Sequence, residues 1–188
     1  MRSITRRSLL ALAGCAAVAT TALSLPPMSA DATAAAVLSG AHARPAPAFT
    51  GIGDWFNSAP LTMDGLRGKV VLVDFWTYTC INCLNQLPHI KALHERYKDQ
   101  GLVVVGVHSP EYEEERSSAG LKDAIARLGI RHPVAQDNDF ATWKSYNNRF
   151  WPAIYLVDKQ GRIVYYHFGE GAYEQTEAAI QALLRQPG

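Results

Sequence analysis

Val73-Asp74-Phe75-Trp76-Thr77-Tyr78-Thr79-Cys80-Ile81-Asn82-Cys83 is the stretch that decides the fold. It closes a short apolar, β-branched run at 69–76, the pattern of a strand buried on both faces of a sheet. From Cys80 to about residue 98 the pattern changes to a helix, with Leu84, Leu87, Ile90 or Lys91, and Leu93 at three- and four-residue steps. Pro88 falls inside that helix and should kink it. The two cysteines therefore sit where a buried strand hands over to a helix. There, unpaired backbone N–H groups and the helix dipole favour an anion. A thiol in that position can have its pKa lowered from about 8.5 toward roughly 7 or less. Cys83, one turn further in, should be less exposed but close enough to attack a mixed disulfide on Cys80.

A C-x-x-C pair has other uses. Structural zinc needs four ligands, and the third cysteine of the chain, Cys15, lies near the N-terminus. Haem attachment needs a histidine after the second cysteine, where Leu84 stands. No metal ligand set is expected, and no cofactor beyond the cysteine pair itself.

Outward from the pair, the chain alternates strands and helices. Residues 102–107 read as a second buried strand and 118–128 as an amphipathic helix stopped at Gly129. A short strand at 133–136 and a short helix at 140–146 follow. Strands at 153–157 and 162–166 flank the hairpin signal Asp158-Lys159-Gln160-Gly161, and a helix at 173–184 closes the chain. Before the pair, residues 54–57 and 61–62 suggest a short hairpin or paired edge segments around Ser58-Ala59-Pro60. The expected class is α/β with a mixed central sheet.

The N-terminus reads differently. Arg2, Arg6 and Arg7 precede a charge-free stretch from Ser8 to Ala30, whose apolar part is too short and diluted for a spanning helix. Pro26-Pro27 follow, with small-residue cleavage sites at Met28-Ser29-Ala30, Ala30-Asp31-Ala32 and Ala41-His42-Ala43. This is the layout of a secretory signal. Thr5-Arg6-Arg7-Ser8-Leu9-Leu10 resembles a twin-arginine signal; a general secretory signal or an uncleaved anchor is the alternative. Leu12-Ala13-Gly14-Cys15 also looks like a lipoprotein box, but the apolar stretch before it is short, so Cys15 is read as part of the signal. The expected organisation is an export signal at 1–30, an Ala/Pro-rich linker at 31–48 and a folded domain at 49–188. Such a domain works outside the cytoplasmic membrane, where disulfides persist.

Composition agrees. Of the 188 residues 48% are hydrophobic, enough for a core, and 18 basic against 17 acidic residues give +1. Removing Arg2, Arg6 and Arg7 leaves 15 against 17, or −2, so no nucleic-acid partner is expected.

The central stretch resembles the active-site strand and helix of the thioredoxin superfamily. Asp74 falls on the family's buried acid, Pro88 on its helix-kinking proline and Trp151-Pro152 on its cis-proline loop. The N-terminal extension, the insert after Val107 and the export signal resemble the TlpA-like branch. Thr79-Cys80-Ile81-Asn82-Cys83 and Gly106-Val107-His108-Ser109-Pro110-Glu111 are most similar to the thioredoxin-like domain of DipZ-type proteins. The resemblance implies a thioredoxin fold with an N-terminal β extension and a helical insert. It implies a thiol–disulfide oxidoreductase with Cys80 as nucleophile, Cys83 as resolving thiol and Asp74 as its proton acceptor. It places Trp151 and Pro152 against the substrate. Expected partners are extracytoplasmic protein thiols and disulfides, and a membrane or soluble electron-transfer protein.

The departures are Thr79 for the usual Trp, Ile81-Asn82 between the cysteines, and Gln86 where many TlpA-like proteins have Glu. Alternatives remain at this point. Asp74 could simply face solvent. His108 and Glu111 could tune the thiols, or lie in a solvated loop running into Glu113-Glu114-Glu115. Trp55, Tyr78, Phe150 and Trp151 could rim the site, with Trp55 and Phe150 equally suited to a core. Thr77-x-x-Cys80 fits part of a peroxiredoxin pattern, although Val73 stands where that family has proline. Two thiols and a histidine could also carry copper in a metallochaperone.

Overall fold

The structure is a computed structural model that describes residues 29–40 and 43–187. The segment expected to be an export signal, including Arg6, Arg7 and Cys15, lies outside the described residues except for Ser29 and Ala30. A seven-stranded mixed sheet organises the chain. Its strands are β1 (Arg44–Pro45), β2 (Trp55–Phe56), β3 (Val70–Trp76), β4 (Leu102–His108), β5 (Val134–Gln136), β6 (Ala153–Val157) and β7 (Arg162–Phe168), in the order β1-β7-β6-β3-β4-β5-β2. β3 runs parallel to β4, and β4 to β5; every other pairing is antiparallel.

β3 is buried along its whole length, and period-two alternation sends its side chains to two cores. Val70 and Leu72 join Ile90 and Leu93 of α2 (Ile81–Tyr97) and Ile180 and Leu183 of α5 (Tyr173–Arg185). Val71, Val73 and Phe75 join Tyr146, which directly follows α4 (Ala141–Ser145), and Tyr155 and Ile163 on the opposite face. A third cluster gathers Trp76, Cys83 and Leu87 with Leu121 and Ile125 of α3 (Ser118–Leu128). The insert after β4 is thus helical and packs beside the second cysteine. α3 ends at Gly129, whose φ of 63° is left-handed, as the stop signal there predicts. Pro88 sits within α2 without ending it.

Two expectations change. Residues 31–48 are more than a linker: Ala30–Ser39 form α1, with the Ser29 hydroxyl accepting from the Ala32 N–H and Gly40 closing the helix in the left-handed region. Alanine is the best helix former, and Val37 gives the helix a residue to bury with Ile180 and Leu183. Arg44–Pro45 then pair with Arg162–Ile163 at the sheet edge, the one kind of strand that tolerates proline. The second change concerns 54–62. Only Trp55–Phe56 form a strand, and it pairs with Val134–Ala135 rather than folding back on Leu61–Thr62. An edge partner was already available, and Pro60 cannot donate to a ladder.

Candidate active site

Cys80 caps α2: its backbone is extended, the helix begins at Ile81, and its sulfur accepts from the Cys83 N–H at 3.3 Å. Both cysteines are free thiols, Cys80 half-buried and Cys83 buried. Ile81, between them in sequence, is 66% exposed. The first thiol therefore faces outward at a helix N-terminus while the second lies behind it. Burial pushes the Cys83 thiol far above its ordinary range. The neighbouring Cys80 adds to this, the Thr77 backbone N–H opposes it, and the charge of Asp74 raises it further.

Asp74 is 3% exposed, which removes the solvent-facing alternative. Its even-numbered place on β3 turns it to the α2 face, where Gln86 Nε2 donates to Oδ1 at 3.3 Å. Burial raises its carboxyl to about 7, against the opposing pull of that hydrogen bond. Gln86 Oε1 is buried without a partner. A second carboxylate in place of Gln86 would repel the first; the amide offers a donor instead.

The Trp151–Pro152 bond is cis, in keeping with the resemblance. The Trp151 indole N–H donates to the Ser109 carbonyl at 3.0 Å, just beyond β4, and its ring lies 4.3 Å from that of Trp143. Trp151 and Cys80 border the same apolar cluster around Trp76 and Cys83. Phe150, 52% exposed, pairs with Phe168 at 5.4 Å and forms an apolar rim with it. Trp55 instead packs into the core beside Phe49.

The acidic run after β4 is not uniformly solvated. Glu113 is exposed, but Glu115 is fully buried and accepts five hydrogen bonds. Oε1 takes the Thr77 hydroxyl at 2.5 Å, the Thr79 N–H at 3.2 Å and the Thr79 hydroxyl at 2.6 Å. Oε2 takes the Glu111 N–H at 2.6 Å and the Tyr112 N–H at 3.1 Å. Burial works against this charge, but the hydrogen bonds outweigh it and hold the carboxyl below its ordinary value. His108 is also fully buried rather than in a solvated loop, stacked on Tyr78 at 5.3 Å. Its Nε2 lies 3.2 Å from Thr77 Oγ1. Since Thr77 gives its one proton to Glu115, His108 must donate from Nε2, which assigns the tautomer. Burial lowers His108 to about 4, so it is neutral at pH 7.

Glu115, Thr77 and Thr79 were not legible as site residues. The available signal was two hydroxyls at i and i+2, on one side of the segment entering Cys80 and in need of a common acceptor. Among the described residues, no three His, Cys, Asp or Glu side chains gather into a group that could hold a metal ion.

Comparison with known proteins places this arrangement. The redoxin family model matches residues 42–184. The chain belongs to the redoxin family. It is 47% identical over 148 residues to the protein DipZ of Mycobacterium tuberculosis, covering 76% of this chain and 21% of DipZ. The chain thus spans about a fifth of that relative's length. It is 30% identical over 144 residues to the thiol-disulfide oxidoreductase YkuV of Bacillus subtilis, covering 76% of this chain and 96% of YkuV. A crystal structure of a thioredoxin-like superfamily protein superposes with a TM-score of 0.71 at 28% identity, covering 76% of this chain and 97% of that one. This redoxin-family chain therefore has a thioredoxin-like fold and is of the thiol–disulfide oxidoreductase class. No helix among the described residues is long and apolar enough to cross a membrane.

Proposed function

We propose that this chain is an exported oxidoreductase that exchanges disulfides with extracytoplasmic protein substrates through Cys80 and Cys83. The observation that carries the reading is the unequal placement of the two thiols, Cys80 half-buried at the α2 N-terminus and Cys83 buried behind it above Asp74. The Cys80 thiolate attacks one sulfur of a substrate disulfide, and the other substrate sulfur leaves as a thiolate. Asp74 accepts the Cys83 proton, and Cys83 then attacks the Cys80 sulfur. The second substrate thiolate departs, leaving the substrate reduced by two electrons and the Cys80–Cys83 pair oxidised. The reverse sequence oxidises a substrate dithiol, and a membrane or soluble electron-transfer protein resets the pair. Trp151 and Pro152 would line the bound segment, since the β6 ladder ends at Ala153 and leaves the Trp151 backbone outside it. Ile81 and Phe150 supply exposed apolar surface beside it. Export rests on the Arg6-Arg7 signal and the absence of charge from Ser8 to Ala30.

The test is capture of partners by Cys83→Ser and Cys80→Ser on non-reducing electrophoresis. Cys83→Ser should accumulate reducible complexes with extracytoplasmic proteins, because Cys80 attacks and nothing releases the partner. Cys80→Ser should capture little. Equal capture by both would overturn the assignment of roles.

A further inference from the structure

Glu115 belongs to the insert, 35 residues beyond Cys80, yet three of its five hydrogen bonds go to the two threonines just before that cysteine. The other two bind it to its own turn at Glu111 and Tyr112, so the carboxylate fastens the turn Glu113–Arg116 to the segment entering α2. Thr77 is the central point of this clamp. It is fully buried, its hydroxyl is fixed between Glu115 and His108, and its backbone N–H faces the Cys83 sulfur. A β-branched side chain has a stiff χ1, so fixing the hydroxyl from two sides also fixes the direction of that N–H. The same N–H is one of few groups favouring a thiolate at Cys83, against burial and the nearby charge of Asp74.

We propose that Glu115 is a positioning residue for disulfide exchange: acting through Thr77, it aims the backbone N–H at the Cys83 sulfur and so sets the rate at which Cys83 resolves the mixed disulfide. This rests on the oxidoreductase reading above. Two oxygens meeting five donors leave no room for an amide. In Glu115→Gln, either orientation of the side chain sets an NH2 group against at least two N–H or O–H donors. The clamp then opens without changing the size of the side chain.

Oxidised glutathione separates the two steps. The reduced protein forms a Cys80–glutathione mixed disulfide and releases one glutathione thiolate. Cys83 then forms the Cys80–Cys83 disulfide and releases the second. Acid quenching, alkylation and intact mass follow both steps. Glu115→Gln should slow resolution about tenfold at pH 7 and move its rate–pH profile to higher pH, as expected for a charge-assisted hydrogen bond lost at a thiolate. Attack by Cys80 should change by less than about threefold. Thr77→Val keeps the shape and the N–H but removes the hydroxyl, and it should slow resolution too. The double variant should be no slower than the slower single one, because both break the same path.

Unchanged resolution in folded Glu115→Gln, or independent effects in the double variant, would overturn the proposal. If Glu115→Gln does not fold, Thr77→Val alone decides, and a wild-type resolution rate in that variant overturns it. Failure of the unaltered protein to form or resolve the mixed disulfide would instead defeat the oxidoreductase reading.

Discussion

Asp74, proposed to take the Cys83 proton, also carries a stability penalty. Its carboxyl is raised by burial from 3.8 to about 7, so between those values the folded protein binds a proton that the unfolded chain has lost. Stability therefore falls as pH rises from about 4 to about 7, and then levels off. The full penalty is on the order of 4 kcal/mol, taking 1.36 kcal/mol per pKa unit. Asp74→Asn mimics the neutral acid and escapes it. The variant should match the unaltered protein in denaturant melts near pH 4 and exceed it by up to that amount at pH 9. The buried His108 titrates alike in both proteins and cancels in the difference. If Asp74 accepts the Cys83 proton as proposed, the same variant should slow exchange near neutral pH. Equal melts at pH 9 would show that Asp74 reaches solvent or a cation when the protein is in solution.

At the scale of elements, most of the framework could be read directly from the chain, and for a common reason. β3, β4 and β6 are short apolar runs bounded by turn signals, and α3 carries an apolar face and a glycine stop. Such patterns are local. What could not be read was long-range: the pairing of Trp55–Phe56 with β5, the docking of α1 on α5, and the burial of Glu115 under Thr77 and Thr79. An acidic run looks the same whether one member is solvated or clamped, until the threonines that clamp it are adjacent in space. Gly106 is another long-range constraint, in the middle of β4. A Cβ there would meet Trp76 Nε1 at 2.9 Å and His132 Nε2 at 3.3 Å, both on rigid buried rings. Gly106→Ala should lower stability by about 1–3 kcal/mol, the usual range for overpacking. Since Trp76 packs with Cys83, alkylation of Cys83 in the native state should also accelerate. A melting temperature unchanged by this alanine would mean that the strand shifts freely at its centre.

For the whole molecule, the proposed export requires cleavage at one of the small-residue sites, and α1 provides a physical criterion for which. Cleavage after Ala30 leaves Asp31 first and keeps nearly all of α1, with Val37 buried against Ile180 and Leu183 and Thr33 buried beside them. Cleavage after Ala43 would remove α1 entirely and bare that face of α5, while sparing the β1 pairing with β7. Burying Val37 alone is worth about 1.5–3 kcal/mol relative to leaving it exposed. An apolar helix face left open in the export compartment would also invite association. The exported protein should therefore start at Asp31, as read by intact mass after fractionation. A version beginning at Arg44 should melt lower, and Val37→Ala in the longer form should by itself reproduce about 1.6 kcal/mol of that loss, at about 0.8 kcal/mol for each of two buried methyl groups. If the exported chain begins at Arg44 and melts no lower than the longer form, α1 contributes nothing to the working domain. Residues 31–43 would then return to the Ala/Pro-rich linker expected over 31–48.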